Sequence, residues 1–384
     1  MIQLDYQHQC NELLDDLRKE ARSTAASTAG EEQDEGDQHG TKSIGHYANA
    51  RHFRDGLHSD VYKTTAPKDA SESFVGTPGA PVALKVTYLI GMALPHNSER
   101  EVRVLEKVMH TNIISLWESF REPGYSHLVL VFPFMPYDLG MILRQGYIPE
   151  AQGRNYLRDL FEALKHVHSL GLIHRDVKPS NILMKSPSGP AYLADFGIVW
   201  DPDDPVSEPA DQKITDVGTT SYRAPDVLFG RASYDQSLDM WAAGCVAAQI
   251  ATSSAEPLFD SGDVGSDLTL IQSIFKKLGT PTAHTWPVSH LAFSKAVYLA
   301  DLYQDAESCP DWGKIQWIEY SPVPWATLLP EASEAGRDVV SKLIVYQGSK
   351  RLSAGQVVSP EYLLGGDGLM TLGFTPPLLR KELR

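Results

Sequence analysis

Three short phrases stand in one order along this chain, and together they say more about its architecture than any bulk property. The first is Val82-Ala83-Leu84-Lys85-Val86, an apolar run broken by one lysine. The second is His174-Arg175-Asp176-Val177-Lys178-Pro179-Ser180-Asn181. The third is Asp195-Phe196-Gly197, followed by Tyr222-Arg223-Ala224-Pro225-Asp226. Taken singly each is weak, since a strand lysine reads as a solvated edge charge and the aspartates as ordinary loop carboxylates. The stretches between them have texture of their own. From Ile44 onward the pattern is strand-like, while Arg154 to Leu170 carries Leu157, Leu160, Phe161, Leu164 and Val167 at the spacing of a one-faced helix. Leu238 to Ile250 is apolar nearly all round, as a fully buried helix is. Strand-like texture comes first along the chain and helical texture after.

Bulk properties narrow the setting. With 384 residues and 42 % hydrophobic content, there is enough chain for two or three lobes with a sizeable core. The longest apolar run, Met240 to Ala248, falls short of the roughly 20 residues a membrane helix needs, and no signal segment is evident. Three distant cysteines (Cys10, Cys245, Cys309) suit neither a disulfide framework nor a zinc knuckle. A net charge of −15 disfavours nucleic acid and anionic lipid as partners. An intracellular protein, of the nucleus or the cytoplasm, is expected. Residues 1–43 hold ten acids and four bases, and they read as an acidic tail: a short amphipathic helix over Leu4 to Arg22, then a disordered stretch from Ser23. The Thr64 to Pro81 stretch, rich in Thr, Pro, Ser and Gly, reads as a mobile insertion.

The three phrases, in that order, match the signature set of protein kinases, and the resemblance runs from about Phe53 to Pro360. It implies an α+β, bilobal fold: a small antiparallel β lobe with one helix over 44–134, a mostly helical lobe over 135–365, and a tail over 366–384. It further implies ATP and Mg2+ in the cleft, and transfer of the γ-phosphate to a protein hydroxyl. Phosphoryl transfer asks a protein mainly for positioning and charge neutralisation. By resemblance Lys85 holds the α- and β-phosphates and Glu101 aims it. Asp176 accepts the substrate proton, Lys178 steadies the γ-phosphate, and Asn181 and Asp195 hold magnesium. A lysine two residues after the catalytic aspartate is the serine/threonine pattern. Phe132 falls at the gatekeeper position and Pro133, Phe134 and Met135 at the hinge. Phe53, Val61 and Ala83 form the roof of the adenine site, Leu183 the floor, and Asp138 is either a ribose contact or a helix N-cap. Leu105, Leu116, His174 and Phe196 fall where the family stacks its spine, and Asp239 where a buried aspartate anchors the catalytic loop.

Two motifs depart from the pattern. The glycine-rich loop is Arg54-Asp55-Gly56-Leu57-His58-Ser59-Asp60-Val61, which keeps only the middle glycine. That loss points to weaker nucleotide handling, because glycine lets backbone N–H groups approach phosphate closely. An active kinase is the expected reading; a kinase-fold scaffold that holds a cyclin or client kinase without turnover is the alternative. The positions that relatives phosphorylate to inhibit themselves are Leu57 and His58, which cannot be. The wording Leu228-Phe229-Gly230, Asp239-Met240-Trp241-Ala242 and Lys350-Arg351-Leu352-Ser353-Ala354 resembles cyclin-dependent kinases, most of all those that activate other cyclin-dependent kinases. The substrate is then a protein, another cyclin-dependent kinase being one candidate. A cyclin-like partner is weakly supported, because Pro95 to Glu101 keeps only the end of the cyclin-contacting signature. Asp226 replaces the glutamate expected to pair with Arg351, and one methylene less predicts a longer or water-bridged pair.

The activation segment departs as well. Counting back from Tyr222 places Ile214 where relatives carry a phosphothreonine clamped by three arginines. Arg100 and Arg175 remain, and Trp200 stands at the third place. Between Asp195 and Asp226 there are eight acids and two bases. The expectation is that a fixed carboxylate, Asp211 or Asp216, pairs with Arg100 and Arg175 in place of phosphate. A register slip that makes Thr215 the acceptor is the alternative. Arg223, fixing the backbone before Thr219 with Gly218, implies a shallow pocket for proline after the phosphoacceptor.

Overall fold

The computed structural model describes residues 41–56, 58–69, 76–122, 124–282, 284–286, 309–311 and 316–359. The helix expected over Leu4 to Arg22, the tail from residue 366, and Leu57 lie outside them.

The first lobe is a six-stranded antiparallel sheet in the order β1-β2-β3-β4-β6-β5. Its strands are β1 (Lys42–Ile44), β2 (Tyr47–Asp55), β3 (Ser59–Thr65), β4 (Pro81–Tyr88), β5 (Glu118–Arg121) and β6 (His127–Pro133). Strand periodicity sets its two faces. Val82, Leu84 and Val86 of β4 join Val129 and Val131 of β6 in one buried cluster, with Tyr47 and Tyr62. The alternate residues Ala83 and Lys85 turn to the other face, opposite Phe132 and Leu130. That face, toward the second lobe, becomes the cleft. Helix α1 (Ser98–Lys107) is capped by Asn97, whose side chain accepts from the Arg100 amide at 2.8 Å. It buries Val104 and Leu105 in the same cluster as Leu128 and Leu130.

Two sequence boundaries are corrected here. The sheet begins at Lys42, inside the stretch read as a disordered tail. The reason is local: Ile44 is buried, and the Lys42 ammonium donates to the Tyr62 hydroxyl at 2.8 Å while lying over that ring. The insertion begins after Thr65, not at Thr64, since β3 pairs Thr65 with Pro81. Its base is closed by two backbone bonds, Ala66 N to Ala80 O at 2.8 Å and Gly79 N to Ala66 O at 3.1 Å.

The second lobe is helical around one small sheet. It comprises β7 (Tyr137–Asp138), α2 (Leu139–Arg144), α3 (Glu150–Ser169), β8 (Ile182–Met184), β9 (Ala191–Leu193), α4 (Pro225–Leu228), α5 (Ser237–Thr252), α6 (Asp267–Leu278), α7 (Trp325–Leu328), α8 (Glu334–Leu343) and α9 (Ala354–Val357). Helix α5 is the axle, with every residue from Leu238 to Ile250 buried, as its all-round apolar sequence requires. Helix α3 buries Leu157, Leu160, Phe161, Leu164 and Val167 beneath β9. No described helix is long and apolar enough to cross a membrane.

The Asp226–Arg351 pair is neither long nor water-bridged. Arg351 Nη2 donates directly to Asp226 Oδ2 at 2.6 Å, and Arg231 Nη1 donates to Oδ1 at 3.1 Å. Gly348 lies close beside Asp226, so the backbone supplies the approach that the missing methylene would have given.

Candidate active site

The cleft face of β4 carries Lys85, and α1 brings Glu101 to it. Lys85 Nζ donates to Glu101 Oε1 and Oε2 at 2.7 and 2.9 Å, and to Asp195 Oδ1 at 2.8 Å. Burial alone would lower the lysine pKa, but the Asp195 and Glu101 carboxylates reverse this and hold it above the ordinary value. The Lys85 charge in turn holds the Asp195 carboxyl well below the carboxylate range. Asp195 keeps a left-handed backbone, φ 65°, as does Arg175 at 71°. Such conformations in residues other than glycine cluster at functional sites. Phe196, next in chain, is fully buried edge-on against His174 at 4.8 Å, with Leu105 buried and Leu116 packed against the same core.

The loop between α3 and β8 presents Asp176. Asp239, fully buried on α5, fixes that loop by accepting from the His174 and Arg175 amides and from His168 Nε2, each at 2.8 Å. Asp176 itself is ringed by donors. Lys178 Nζ lies 2.8 Å from its Oδ2 and Asn181 Nδ2 3.1 Å, while the Thr219 amide and hydroxyl reach Oδ1 at 3.1 and 2.8 Å. Thr219 also accepts from Lys178 at 2.8 Å, so the activation segment is stitched to the catalytic loop.

Two cavities meet along Lys85, Glu101, Lys178 and Asp195. The first, of about 290 Å³, is lined by Phe53, Gly56, Val61, Ala83, Phe132, Phe134, Met135, Asp138, Asn181 and Leu183 as well. All the residues expected around the nucleotide thus share one space. The second, of about 590 Å³, is faced by Asp176, Thr219 and Arg223. The β2–β3 turn over them is closed by the Gly56 amide donating to Ser59 O at 2.7 Å, and His58 sits edge-on to His96 at 4.5 Å.

Asp138 divides its two oxygens. Oδ1 caps α2 by accepting from the Met141 amide at 2.8 Å. Oδ2 accepts from Arg54 Nη2 at 2.9 Å, an ion pair across the front of the nucleotide cavity. Above it Phe53 meets Phe134 edge-on at 5.0 Å. Arg54, in the glycine-rich loop, thus reaches the second lobe at Asp138, a contact that no sequence motif signals.

The clamp region differs from the expectation. Neither Asp211 nor Asp216 faces Arg100 and Arg175: Asp211 is exposed, and Asp216 accepts from Arg223 Nη2 at 2.6 Å. The carboxylate on Arg175 is Glu208, its Oε1 accepting from Nη1 at 3.1 Å. Two turns over residues 201–207 shorten the path, bringing Glu208 under Arg175 before the count back from Tyr222 would allow. Trp200 holds that turn, its indole N–H donating to Glu208 O at 2.9 Å. Thr215 is half-buried and its hydroxyl has no hydrogen bond among the described residues. Arg223 Nε donates to Gly218 O at 3.0 Å, fixing the backbone just before Thr219 as the resemblance implies.

Comparison with known proteins agrees with this geometry. The protein kinase domain model matches residues 77–363, beginning after the degraded glycine-rich loop. The Schizosaccharomyces pombe serine/threonine-protein kinase csk1 is 31 % identical over 324 residues, covering 83 % of this chain and 95 % of that one. Cyclin-dependent kinase 20 of Homo sapiens is 30 % identical over 74 % of this chain and 75 % of its own length. In fold, the chain is similar to one in the crystal structure of the yeast RNA Pol II CTD kinase CTDK-1 complex (TM-score 0.63, 23 % identity, 88 % and 96 % covered). Kinases of this kind use ATP and Mg2+ and act on proteins. With its lysine, its two aspartates and its serine/threonine-type loop assembled around one cleft, this chain belongs to the protein kinase family, as an ATP-dependent serine/threonine kinase of the cyclin-dependent kinase type.

Proposed function

We propose that this kinase phosphorylates a serine or threonine in the activation segment of another cyclin-dependent kinase. The observation that carries turnover is the closed Lys85–Glu101 pair beside an open cavity onto which Asp176 faces. The choice of substrate draws on sequence wording around Leu228 and Asp239 and on relatives named as cyclin-dependent kinases. Lys85 and Lys178 would meet the phosphates, and the Asp176 carboxylate would take the proton as the substrate oxygen attacks the γ-phosphorus and the bond to the ADP oxygen breaks. Asp195 Oδ2 and Asn181 Oδ1 have no hydrogen bond among the described residues and line the nucleotide cavity. Oxygen donors of this kind suit a hard dication, so these two would hold magnesium, which supplies charge neutralisation on the phosphates.

The test is phosphate transfer from γ-labelled ATP by the full chain, wild type against Asp195→Asn. The acceptor is a cyclin-dependent kinase with an unmodified activation-segment threonine, compared with its alanine variant. Label that needs both wild-type enzyme and that threonine is expected. Label on both acceptors alike would refute the substrate reading.

A further inference from the structure

One side of α1 carries Arg100, Arg103 and Lys107, and each is engaged by the stretch of activation segment directly after Val199. Arg103 Nε donates to Asp204 Oδ2 at 2.9 Å. Lys107 Nζ donates to Asp203 Oδ2 at 3.0 Å and lies 3.3 Å from Asp201 Oδ1. Arg100 Nη1 donates to the Ser207 hydroxyl at 3.3 Å, and its Nη2 to Pro95 O. The next residue, Glu208, leaves the helix and reaches the catalytic loop instead, pairing with the fully buried Arg175 side chain. The run from Asp201 to Glu208 therefore bridges two parts of the active site. On α1 it fixes the helix rotation that points Glu101, the neighbour of Arg100, at Lys85. On the catalytic loop it holds the arginine beside Asp176.

We propose that Glu208, with the acids preceding it, is a built-in positioning residue that does permanently what a phosphorylated threonine does by modification, so that this kinase needs no phosphate on its own activation segment. Several independent features favour this over a chance contact. The Glu208 side chain is only 7 % exposed, and its charge is the one that meets Arg175. Arg175 Nε and Nη2, Arg100 Nε and Glu208 Oε2 are all buried without a hydrogen bond, so a buried guanidinium with few partners would lose its paired carboxylate if Glu208 were neutralised. Trp200, at the place of the missing third arginine, binds the Glu208 backbone rather than an anion, and Lys213 lies 4.4 Å over its ring. Among the described residues no serine or threonine hydroxyl is hydrogen-bonded to Arg175, and it is the Ile214 amide, 3.5 Å from Glu208 Oε1, that meets this pocket. Burial would raise the Glu208 pKa, but Arg175 wins and keeps it ionised.

The experiment uses the full chain after phosphatase treatment, with intact mass confirming that no phosphate remains. Hydrogen exchange is followed over residues 98–107 and 201–217, with α5 as internal reference, alongside ATP hydrolysis without protein substrate. These readouts do not depend on which protein the kinase modifies. Unphosphorylated wild type is expected to be protected in both segments and active. Glu208→Gln is expected to raise exchange in both by at least tenfold, with α5 unchanged. It should cut kcat at least tenfold while the KM for ATP stays within twofold, and Glu208→Asp should recover part of both. Should Glu208→Gln fail to fold, Arg103→Gln breaks a half-exposed rung and is expected to raise exchange over 98–107 several-fold. A Glu208→Gln protein that matches wild type overturns the proposal, as does an Arg103→Gln protein without faster exchange. So does a wild type that becomes active only once Thr215 carries phosphate.

Discussion

Asp226→Asn removes a buried carboxylate that two buried guanidiniums share. In the wild type Arg351 Nη2 and Arg231 Nη1 lie 2.6 and 3.1 Å from its two oxygens, and the Asp226 and Arg351 side chains are 1 % and 0 % exposed. Breaking a buried pair by removing one partner costs about 3–5 kcal/mol, because the other charge stays behind unpaired. Here the lower end applies. Arg351 keeps hydrogen bonds to the carbonyls of Val345, Ser237 and Tyr346, and the amide still offers one acceptor oxygen. About 3 kcal/mol, at roughly 2–4 °C per kcal/mol, is a fall in melting temperature of about 6–12 °C. Urea unfolding monitored by fluorescence reads the same loss as a lower midpoint at unchanged slope. Asp226→Glu, which restores the residue common in relatives, tests the fit. The pair already meets directly at 2.6 Å with both side chains fully buried, so the added methylene overpacks and costs about 1–3 kcal/mol. A loss below about 1 kcal/mol for Asp226→Asn would refute the reasoning, since the triad would then be contributing as little as a surface pair does.

Other outcomes follow from the same contacts. Arg54→Ala frees Asp138 Oδ2 at the front of the nucleotide cavity; a half-exposed pair worth about 1 kcal/mol gives a KM for ATP lower by about fivefold, and an unchanged or higher KM by steady-state kinetics would count against the latch. Gly218 has φ +77° and its missing Cβ would fall 2.7 Å from Arg175 O, so Gly218→Ala should lower kcat/KM for a peptide substrate at least tenfold. Asp239 is held below the usual carboxylate range because burial is outweighed by its bond and charge contact with His168. A carboxyl depressed in the folded state stabilises above its unfolded pKa of about 3.9 and stops doing so as pH falls through its folded value. The urea-midpoint gap between wild type and Asp239→Asn should shrink as acidification below about pH 5 protonates the carboxylate; a gap that ignores acid would be wrong for this mechanism.

The parts of the site that could be read from sequence are those whose letters carry their own geometry. The alternation in Val82-Ala83-Leu84-Lys85-Val86 already puts Lys85 on the opposite face from its apolar neighbours, and the all-apolar run from Leu238 already requires the burial that makes Asp239 an anchor. Glu208 was not legible in this way. Its partner is set by how tightly residues 201–207 turn, and counting back from Tyr222 assumes a path length that these turns shorten. The Asp226–Arg351 distance was misjudged for a related reason: side-chain length is visible in a sequence, but the approach of the Gly348 backbone is not. Arg54 to Asp138 is a contact between two lobes, and no local pattern announces it.

The paired backbone bonds between Ala66, Gly79 and Ala80 act as a clasp at the root of the insertion. Because the chain enters and leaves the sheet at one point, a change of length between these bonds need not be passed on to the strands. Closing a flexible loop costs only about 0.6 kcal/mol for each doubling of its length. The segment between β3 and β4 is therefore a natural port, where a fluorescent reporter or an affinity handle could be spliced into this enzyme with its register and its cleft intact.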